Sequence, residues 1–181
     1  SESQQNEEIE NRINRYYKDE SKLNSLADDI NNEWVKIEGD FIKKLEDVYK
    51  NPFPYKNIKG ILSSGVRFGY NIDEGWFATD MIRNKFISID VATHELMHFM
   101  FYKYYANTLE EKGLSKNIIW DIGEALTVLL NLEFDNFRFQ LDYEKSSHKN
   151  LREVIERSWN KSHDFNTTLE VAIEYVSQIS L

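Results

Sequence analysis

The chain of 181 residues is long enough for one well-buried core, and its 41% hydrophobic and 14% aromatic residues are typical of folded rather than disordered proteins. The formal net charge of -9 argues against a broad basic surface for nucleic acid or an anionic membrane. The lack of cysteine excludes disulfides, thiolate zinc sites and a cysteine nucleophile. No run approaches the roughly 18 apolar residues of a membrane span. Residues 1–30 are too polar for a secretory signal. The sequence is therefore compatible with a cytoplasmic protein, or with a secreted protein whose signal peptide has already been removed.

The N-terminal part of the chain predicts helices. Over residues 1–30, apolar side chains recur at helical spacing in polar sequence, which predicts an amphipathic helix or two short ones. A second helix is predicted over residues 34–49, and the only prolines of the chain, Pro52 and Pro54, follow it. We interpret residues 1–50 as helices packed on the core, with a docking or inhibitory arm as the alternative for the first of them.

Residues 58–90 show a different pattern, with short runs of β-branched and aromatic residues separated by turn residues. This pattern predicts a small antiparallel sheet. The predicted strands are Lys59 to Ser63, Val66 to Asn71, Trp76 to Thr79 and Lys85 to Asp90.

The sequence His94-Glu95-Leu96-Met97-His98 lies in an apolar run that predicts a buried helix from Val91 to about Tyr105, capped by Asp90. Residues four apart share one face of a helix, so both imidazoles point at one site. A zinc ion would give both rings a partner, whereas two core histidines would each need a hydrogen bond in an apolar layer. Glu95 lies about 100° around the helix and is predicted to be the general base. The pattern therefore predicts bound Zn2+, with two satisfied core histidines as the alternative.

A further apolar helix is predicted from Lys116 to Phe134, and two carboxylates, Asp121 and Glu124, lie on one of its faces. Catalytic zinc needs three protein ligands. Glu124 is the favoured third ligand, because Gly123 and Ala125 beside it would let this helix approach the zinc helix closely. Asp121 is the rival ligand, and a satisfied core carboxylate is the alternative to both.

A His-Glu-x-x-His helix followed by a glutamate from a later helix resembles the gluzincins, the thermolysin-like class of zinc metallopeptidases. The resemblance spans residues 76–134 and implies that His94, His98 and Glu124 bind zinc while Glu95 is the base. It also implies a sheet above and helices below a cleft, with an extended peptide antiparallel to an edge strand, for which Trp76 to Ala78 is the candidate. Thermolysin has an Asp four residues after the ligand Glu. Val128 stands there in this chain, so the carboxylate that supports a ligand histidine is expected elsewhere, with Asp121 as candidate.

The rest of the chain, residues 135–181, predicts further helices, the last with a capping box of Thr167 and Glu170. In the gluzincins a Tyr or His outside the motif usually donates a hydrogen bond to the tetrahedral intermediate. His163 is the favoured donor, and an exposed loop histidine is the alternative reading for it. The other candidates for this donor are His148, Tyr143 and Tyr102.

Together these patterns predict an α+β, mainly helical fold in one metallopeptidase domain over residues 1–181. A small antiparallel sheet would lie over the active-site helix and helices would form the lower part, as in zincins. The predicted segments are N-terminal helices at 1–50, a sheet at 58–90, zinc-binding helices at 91–134 and C-terminal helices at 135–181. The predicted function is zinc-dependent hydrolysis of a peptide or protein substrate, with no nucleic-acid partner and no membrane span. The alternatives are a catalytically inactive binding or regulatory module of zincin fold, and a helical protein whose motif arose by chance.

Overall fold

The computed structural model describes residues 20–63, 69–80, 84–142 and 146–179. Within these ranges the chain is mainly helical with one small sheet, which confirms the α+β, mainly helical class. The helices are α1 (Glu20–Trp34), α2 (Glu38–Tyr49), α3 (Lys85–Phe101), α4 (Asn107–Glu111), α5 (Lys116–Leu126), α6 (Val128–Glu133), α7 (Lys149–Ser162) and α8 (Phe165–Ile179). The strands are β1 (Lys59–Ser63), β2 (Tyr70–Asn71) and β3 (Trp76–Asp80). A π-helical turn, Tyr102–Ala106, continues α3 into α4, and short 3-10 helices lie at Asp135–Phe137 and Ser146–His148.

The sheet is mixed, so the prediction of an antiparallel sheet is wrong. The strand order is β1-β3-β2, with β1 parallel and β2 antiparallel to β3. A tight turn closed by the hydrogen bond from Gly75 N to Asn71 O reverses the chain between β2 and β3. Strand β1 pairs with the other side of β3 and runs in the same direction. Trp76 to Ala78 therefore lie in the central strand, which corrects their assignment to a sheet edge.

Two predicted elements lie partly outside the described residues. Only residues 20–30 of the predicted N-terminal helix are described, and they belong to α1, which extends to Trp34. Of the predicted strand over residues 66–71, residues 69–71 are described, and Tyr70–Asn71 form β2.

The predicted strand from Lys85 to Asp90 is wrong, because these residues form the first turns of α3. The side chain of Asn84 caps the helix: its Oδ1 accepts hydrogen bonds from Phe86 N at 3.0 Å and Ile87 N at 3.2 Å. A cap at this position satisfies two of the amide groups that a helix start leaves unpaired. Asp90, the predicted cap, lies buried inside the helix instead.

The predicted helix from Lys116 to Phe134 is divided at Thr127 into α5 and α6.

Helix α8 starts earlier than predicted. Asp164 Oδ1 accepts a hydrogen bond from Thr167 N at 2.8 Å, so Asp164 caps α8 and the capping box of Thr167 and Glu170 is wrong.

Helix α3 lies at the centre of the fold. One of its sides contacts the sheet and α1, and the other contacts α5. The main core joins buried side chains of α2, α3, α5, α6, α7 and α8, and its largest fully buried members include Tyr49, Phe41, Phe101, Phe134 and Phe165. No helix in the described ranges combines the length and the apolar character that crossing a bilayer would require.

Helices α3 and α5 approach closely because position 123 is a glycine. A Cβ atom placed on Gly123 would lie 3.1 Å from two ring atoms of Phe101. The Phe101 ring is fully buried, and close packing limits how far such a ring can move. The expectation that Gly123 permits the close approach of these helices agrees with this geometry.

We expect Gly123→Ala to lower the free energy of unfolding by about 1–3 kcal/mol, because the added methyl group overpacks the contact with Phe101. Urea denaturation measures the change. Gly39→Ala is the matched control, because a Cβ on Gly39, also helical, meets nothing within 4 Å. The control should stay within about 1 kcal/mol of the parent. Equal stability of the Gly123 variant and the parent would contradict the inferred crowding.

Candidate metal centre

Three of the predicted ligand residues come together in the structure. His94 and His98 lie one turn apart on α3, and Glu124 reaches them from α5. One ligand atom from each residue lies within 4.8 Å of the other two. The His94 and His98 Nε2 atoms are 3.0 Å apart, and His98 Nε2 is 3.5 Å from Glu124 Oε1. These three side chains can hold a metal ion.

The separations between these ligand atoms are close to those expected for a tetrahedral metal site. Two ligand nitrogens at the usual distance from zinc lie about 3.3 Å apart in tetrahedral geometry. The two Nε2 atoms also face each other, so at most one of them carries a proton between the rings. At least one bare nitrogen lone pair is therefore directed into the group. A lone pair, a carboxylate oxygen and a second imidazole form a donor set suited to a cation.

Asp142 fixes the orientation of His94. Its Oδ1 lies 2.8 Å from His94 Nδ1, where a carboxylate accepts the Nδ1 proton and leaves Nε2 as the ligand atom. Its Oδ2 accepts a hydrogen bond from Arg152 Nη1 at 3.0 Å and lies 2.7 Å from Thr127 Oγ1. Burial raises the pKa of the Asp142 carboxyl, but the hydrogen bond with His94 and the charge of Arg138 lower it to about 2. Asp142 is therefore ionised at neutral pH and holds the His94 proton.

The sequence did not indicate Asp142, and the expectation that Asp121 supports a ligand histidine is wrong. Asp121 pairs with His148 instead, at 2.9 Å between Oδ1 and Nε2. Asp142 follows α6 in a short irregular segment, where no periodic pattern marks a functional side chain. Only the tertiary fold brings it to His94, 48 positions earlier in the chain.

The segment that carries Asp142 is attached along one face of α3. Arg138 Nη1 donates a hydrogen bond to Thr93 Oγ1 at 2.9 Å, and Phe139 N donates one to Asp90 Oδ1 at 2.9 Å. Asp90 and His94 are successive residues on the same helix face. The segment therefore runs along α3 and places Asp142 beside His94.

Glu95 lies next to the three ligand residues in a buried environment. Glu95 is 8% exposed, and its Oε2 atom has no hydrogen-bond partner in the part of the chain that the structure describes. Burial raises the pKa of the Glu95 carboxyl to about 7; the nearby His98 opposes this rise, and the charges of Glu124 and Asp142 add to it. A carboxyl group with such a pKa can take up and release a proton near neutral pH.

Two tyrosines line the same site. The Tyr70 ring on β2 stacks on His98, with ring centroids 5.6 Å apart and an interplanar angle of 27°. Burial raises the pKa of both hydroxyls; their mutual hydrogen bond adds to the rise for Tyr102 and partly offsets it for Tyr70. Both hydroxyls are therefore protonated at neutral pH and can donate a hydrogen bond.

Tyr102 was one of the sequence candidates for a hydrogen-bond donor, and its position four residues after His98 is a signal for the shared helix face. Tyr70 was missed, because it lies on a strand far from the motif in sequence. The pairing of β2 with β3 brings it to His98.

His163, the favoured donor in the sequence, contacts other residues. It lies at the end of α7 with a left-handed φ of 46°, and its side chain is 66% exposed. Its Nδ1 is 3.7 Å from Glu133 Oε1, and its ring centroid is 5.9 Å from that of Trp159. The structure does not bring it into the group of His94, His98 and Glu124.

His148, a further donor candidate, pairs with other residues. His148 is buried against Asp121 and Trp120. Tyr143 lies outside the described residues.

No protein-family model, curated protein sequence or solved structure matches this chain.

We expect Asp142→Asn to weaken the affinity for Zn2+ by about 10- to 100-fold, because an amide supports the His94 proton less well than a buried carboxylate. Competition with a chromogenic chelator measures this affinity. Asp135→Asn, which changes an exposed aspartate of the 3-10 helix Asp135–Phe137, is the matched control and should bind Zn2+ like the parent. Unchanged affinity of the Asp142 variant would show that His94 needs no support from Asp142.

Proposed function

We propose that this protein is a zinc metallopeptidase that hydrolyses peptide bonds. One observation supports this function most directly: His94, His98 and Glu124 converge within reach of one ion, and Glu95, whose Oε2 has no hydrogen-bond partner among the described residues, follows His94 on the same helix. Two imidazoles and one carboxylate are the donors of catalytic zinc sites that keep a fourth position open. The resemblance of the motif to the gluzincins points to the same reaction.

Zinc is the metal favoured by these donors. Imidazole nitrogen suits zinc better than calcium or magnesium, which prefer oxygen ligands. The chain has no cysteine, so the thiolate ligands of most structural zinc sites are lacking. Bound zinc would lower the pKa of a coordinated water and polarise the carbonyl group of the substrate.

Glu95 is the proposed general base. Its buried Oε2 has no hydrogen-bond partner among the described residues and is available to accept a proton from water. The protonated carboxyl then transfers this proton to the nitrogen of the leaving amine, so that Glu95 returns to its initial state. Because Glu95 follows His94 directly on α3, the two side chains point in different directions from the helix and Glu95 is not needed as a ligand.

Tyr70 is the proposed donor to the oxyanion that forms when the carbonyl group is attacked. The Tyr70 ring stacks on His98, and the hydrogen bond between the Tyr70 and Tyr102 hydroxyls keeps the Tyr70 hydroxyl beside the candidate ligands. The Tyr70 proton can then stabilise the developing negative charge. This assignment replaces His163 in the proposal, because His163 contacts Glu133 and Trp159 instead.

Strand β2 is the proposed place where an extended substrate chain lies. It is one of the two outer strands of the described sheet, and it carries Tyr70 next to His98. Extended peptides bind outer strands through main-chain hydrogen bonds. A peptide along β2 would bring its carbonyl group close to the Tyr70 hydroxyl.

The first test is Glu95→Gln. The variant should still bind one Zn2+ per chain, because Glu95 is not a ligand, but its hydrolysis of an unfolded protein substrate should fall by about 100-fold or more. Metal analysis and a fluorescent casein assay measure the two properties. Glu110→Gln, in the exposed part of α4, is the control and should cleave like the parent.

Two results would contradict the proposal. A parent protein that binds no metal would indicate that the motif arose by chance. A parent that binds Zn2+ stoichiometrically and cleaves no peptide library would favour a binding module without turnover.

The second test separates the candidate donors. Tyr70→Phe should reduce kcat by about 100- to 1000-fold with little change in KM, because its hydrogen bond forms only in the transition state. Tyr102→Phe should give a smaller loss, because it only positions Tyr70, and His163→Ala should leave kcat unchanged. If the His163 variant loses activity and the Tyr70 variant does not, His163 is the donor.

A further inference from the structure

Arg152 of α7 is a buried charged residue that reaches the candidate metal ligands through Asp142. It is 5% exposed, whereas arginine in folded proteins is almost never fully buried unless it is paired. Taking a guanidinium group out of water costs free energy that only close polar or charged partners offset. The partners of Arg152 therefore indicate what this residue does.

Asp142 presents a different oxygen atom to Arg152 and to His94. Its Oδ2 accepts a hydrogen bond from Arg152 Nη1 at 3.0 Å, and the same nitrogen donates to Thr127 Oγ1 at 2.9 Å. Its Oδ1 lies 2.8 Å from His94 Nδ1. The two oxygens of a carboxylate turn together about one bond, and a hydrogen bond between two ionised groups is a strong one. The bond from Arg152 to Oδ2 therefore keeps Oδ1 directed at His94.

Arg138 attracts the oxygen that His94 uses. Its Nη2 lies 3.6 Å from Asp142 Oδ1, and its Nη1 donates a hydrogen bond to Thr93 Oγ1 at 2.9 Å. Opposite charges at this distance attract each other strongly where water is excluded. Because Arg152 holds Oδ2, it limits how far Oδ1 can turn from His94 towards Arg138. Loss of Arg152 would allow the carboxylate to pair with Arg138 at the expense of His94.

We infer that Arg152 is a positioning residue of the candidate metal centre and acts on His94 through Asp142. It holds the carboxylate so that Oδ1 accepts the His94 Nδ1 proton and His94 Nε2 stays directed at the ion. The inference rests on the metal site of the proposed function and not on hydrolysis. It gives a function to α7, which lies outside the part of the chain that resembles the gluzincins.

Arg152→Met should weaken the affinity for Zn2+ by about tenfold, because His94 loses the fixed position of its carboxylate partner. Competition with a chromogenic chelator on the full chain measures this affinity. Arg157→Met is the matched control, because Arg157 is an exposed arginine of the same helix whose Nε donates to Glu153 O. It should bind Zn2+ like the parent. Equal affinities of the two variants would overturn the inference.

A double-mutant cycle tests whether Arg152 acts through Asp142. In the Asp142→Asn background, Arg152→Met should change the affinity for Zn2+ by less than about twofold, because the carboxylate that Arg152 positions is already lost. A general effect on the fold would give the same loss in both backgrounds. Such an equal loss would overturn the inference.

If Arg152→Met does not fold, as judged by circular dichroism, Arg152→Lys replaces it and Arg157→Lys becomes its control. Lysine keeps the buried charge but has a shorter reach, so the affinity for Zn2+ should fall by about 2- to 10-fold relative to the control. Affinities of the two lysine variants that do not differ would overturn the inference.

Nuclear magnetic resonance of the metal-free protein tests the positioning without zinc. A hydrogen bond to a buried carboxylate should give the His94 Nδ1 proton a low-field resonance that is absent from Asp142→Asn. This resonance should be lost or shifted to higher field in the folded Arg152 variant and unchanged in the Arg157 variant. Its persistence at the parental position in the Arg152 variant would overturn the inference.

These results separate the inference from the proposed function. A parent that binds Zn2+ with an affinity dependent on Arg152, but cleaves no peptide, would contradict the peptidase and support the inference. A peptidase whose affinity for Zn2+ does not depend on Arg152 would contradict the inference alone. A parent that binds no Zn2+ would overturn both.

Discussion

Buried polar side chains on one face of α3 need partners, and much of the surrounding structure supplies them. Asp90, His94 and His98 follow one another at intervals of one helical turn inside a largely apolar helix. A polar group in such a position costs free energy unless it is paired. The segment from Arg138 to Asp142 pairs with Asp90 and His94, while Glu124 lies beside His98. The position of this segment and the approach of α5 are thus both linked to the polar face of α3.

The break between α5 and α6 belongs to the same arrangement. Thr127, at the break, has its hydroxyl oxygen 2.6 Å from Glu124 O and 2.7 Å from Asp142 Oδ2. Arg152 of α7 donates to both Thr127 Oγ1 and Asp142 Oδ2. One network thus joins the residue after α5, the segment beside α3 and a C-terminal helix. It keeps the Asp142 carboxylate ionised and directed at His94 in a buried place.

The electrostatics of the site favour a cation. Burial raises the pKa of Glu95, and the nearby negative charges of Glu124 and Asp142 raise it further. The positive charges of Arg138 and Arg152 offset the negative charge of Asp142. A positive ion between the two histidines and Glu124 would relieve this repulsion, which is the electrostatic basis of the proposed metal site.

Helical periodicity alone was enough to predict the helical class and the pair of histidines one turn apart, and Gly123 made Glu124 the favoured partner, whereas the choice between Glu124 and Asp121 needed the packing of α5 on α3. The sequence by itself did not determine the mixed sheet, the start of α3 at Asn84, or the roles of Asp142 and Tyr70. A short run such as Lys85 to Asp90 satisfies both strand and helix patterns, and the Asn84 cap and tertiary burial decided between them. Asp142 and Tyr70 reach the site from an irregular segment and an outer strand, and their positions follow from long-range pairing. Local spacing encodes what one helix presents on its face, whereas the partners of that face are set only when distant segments pack against it.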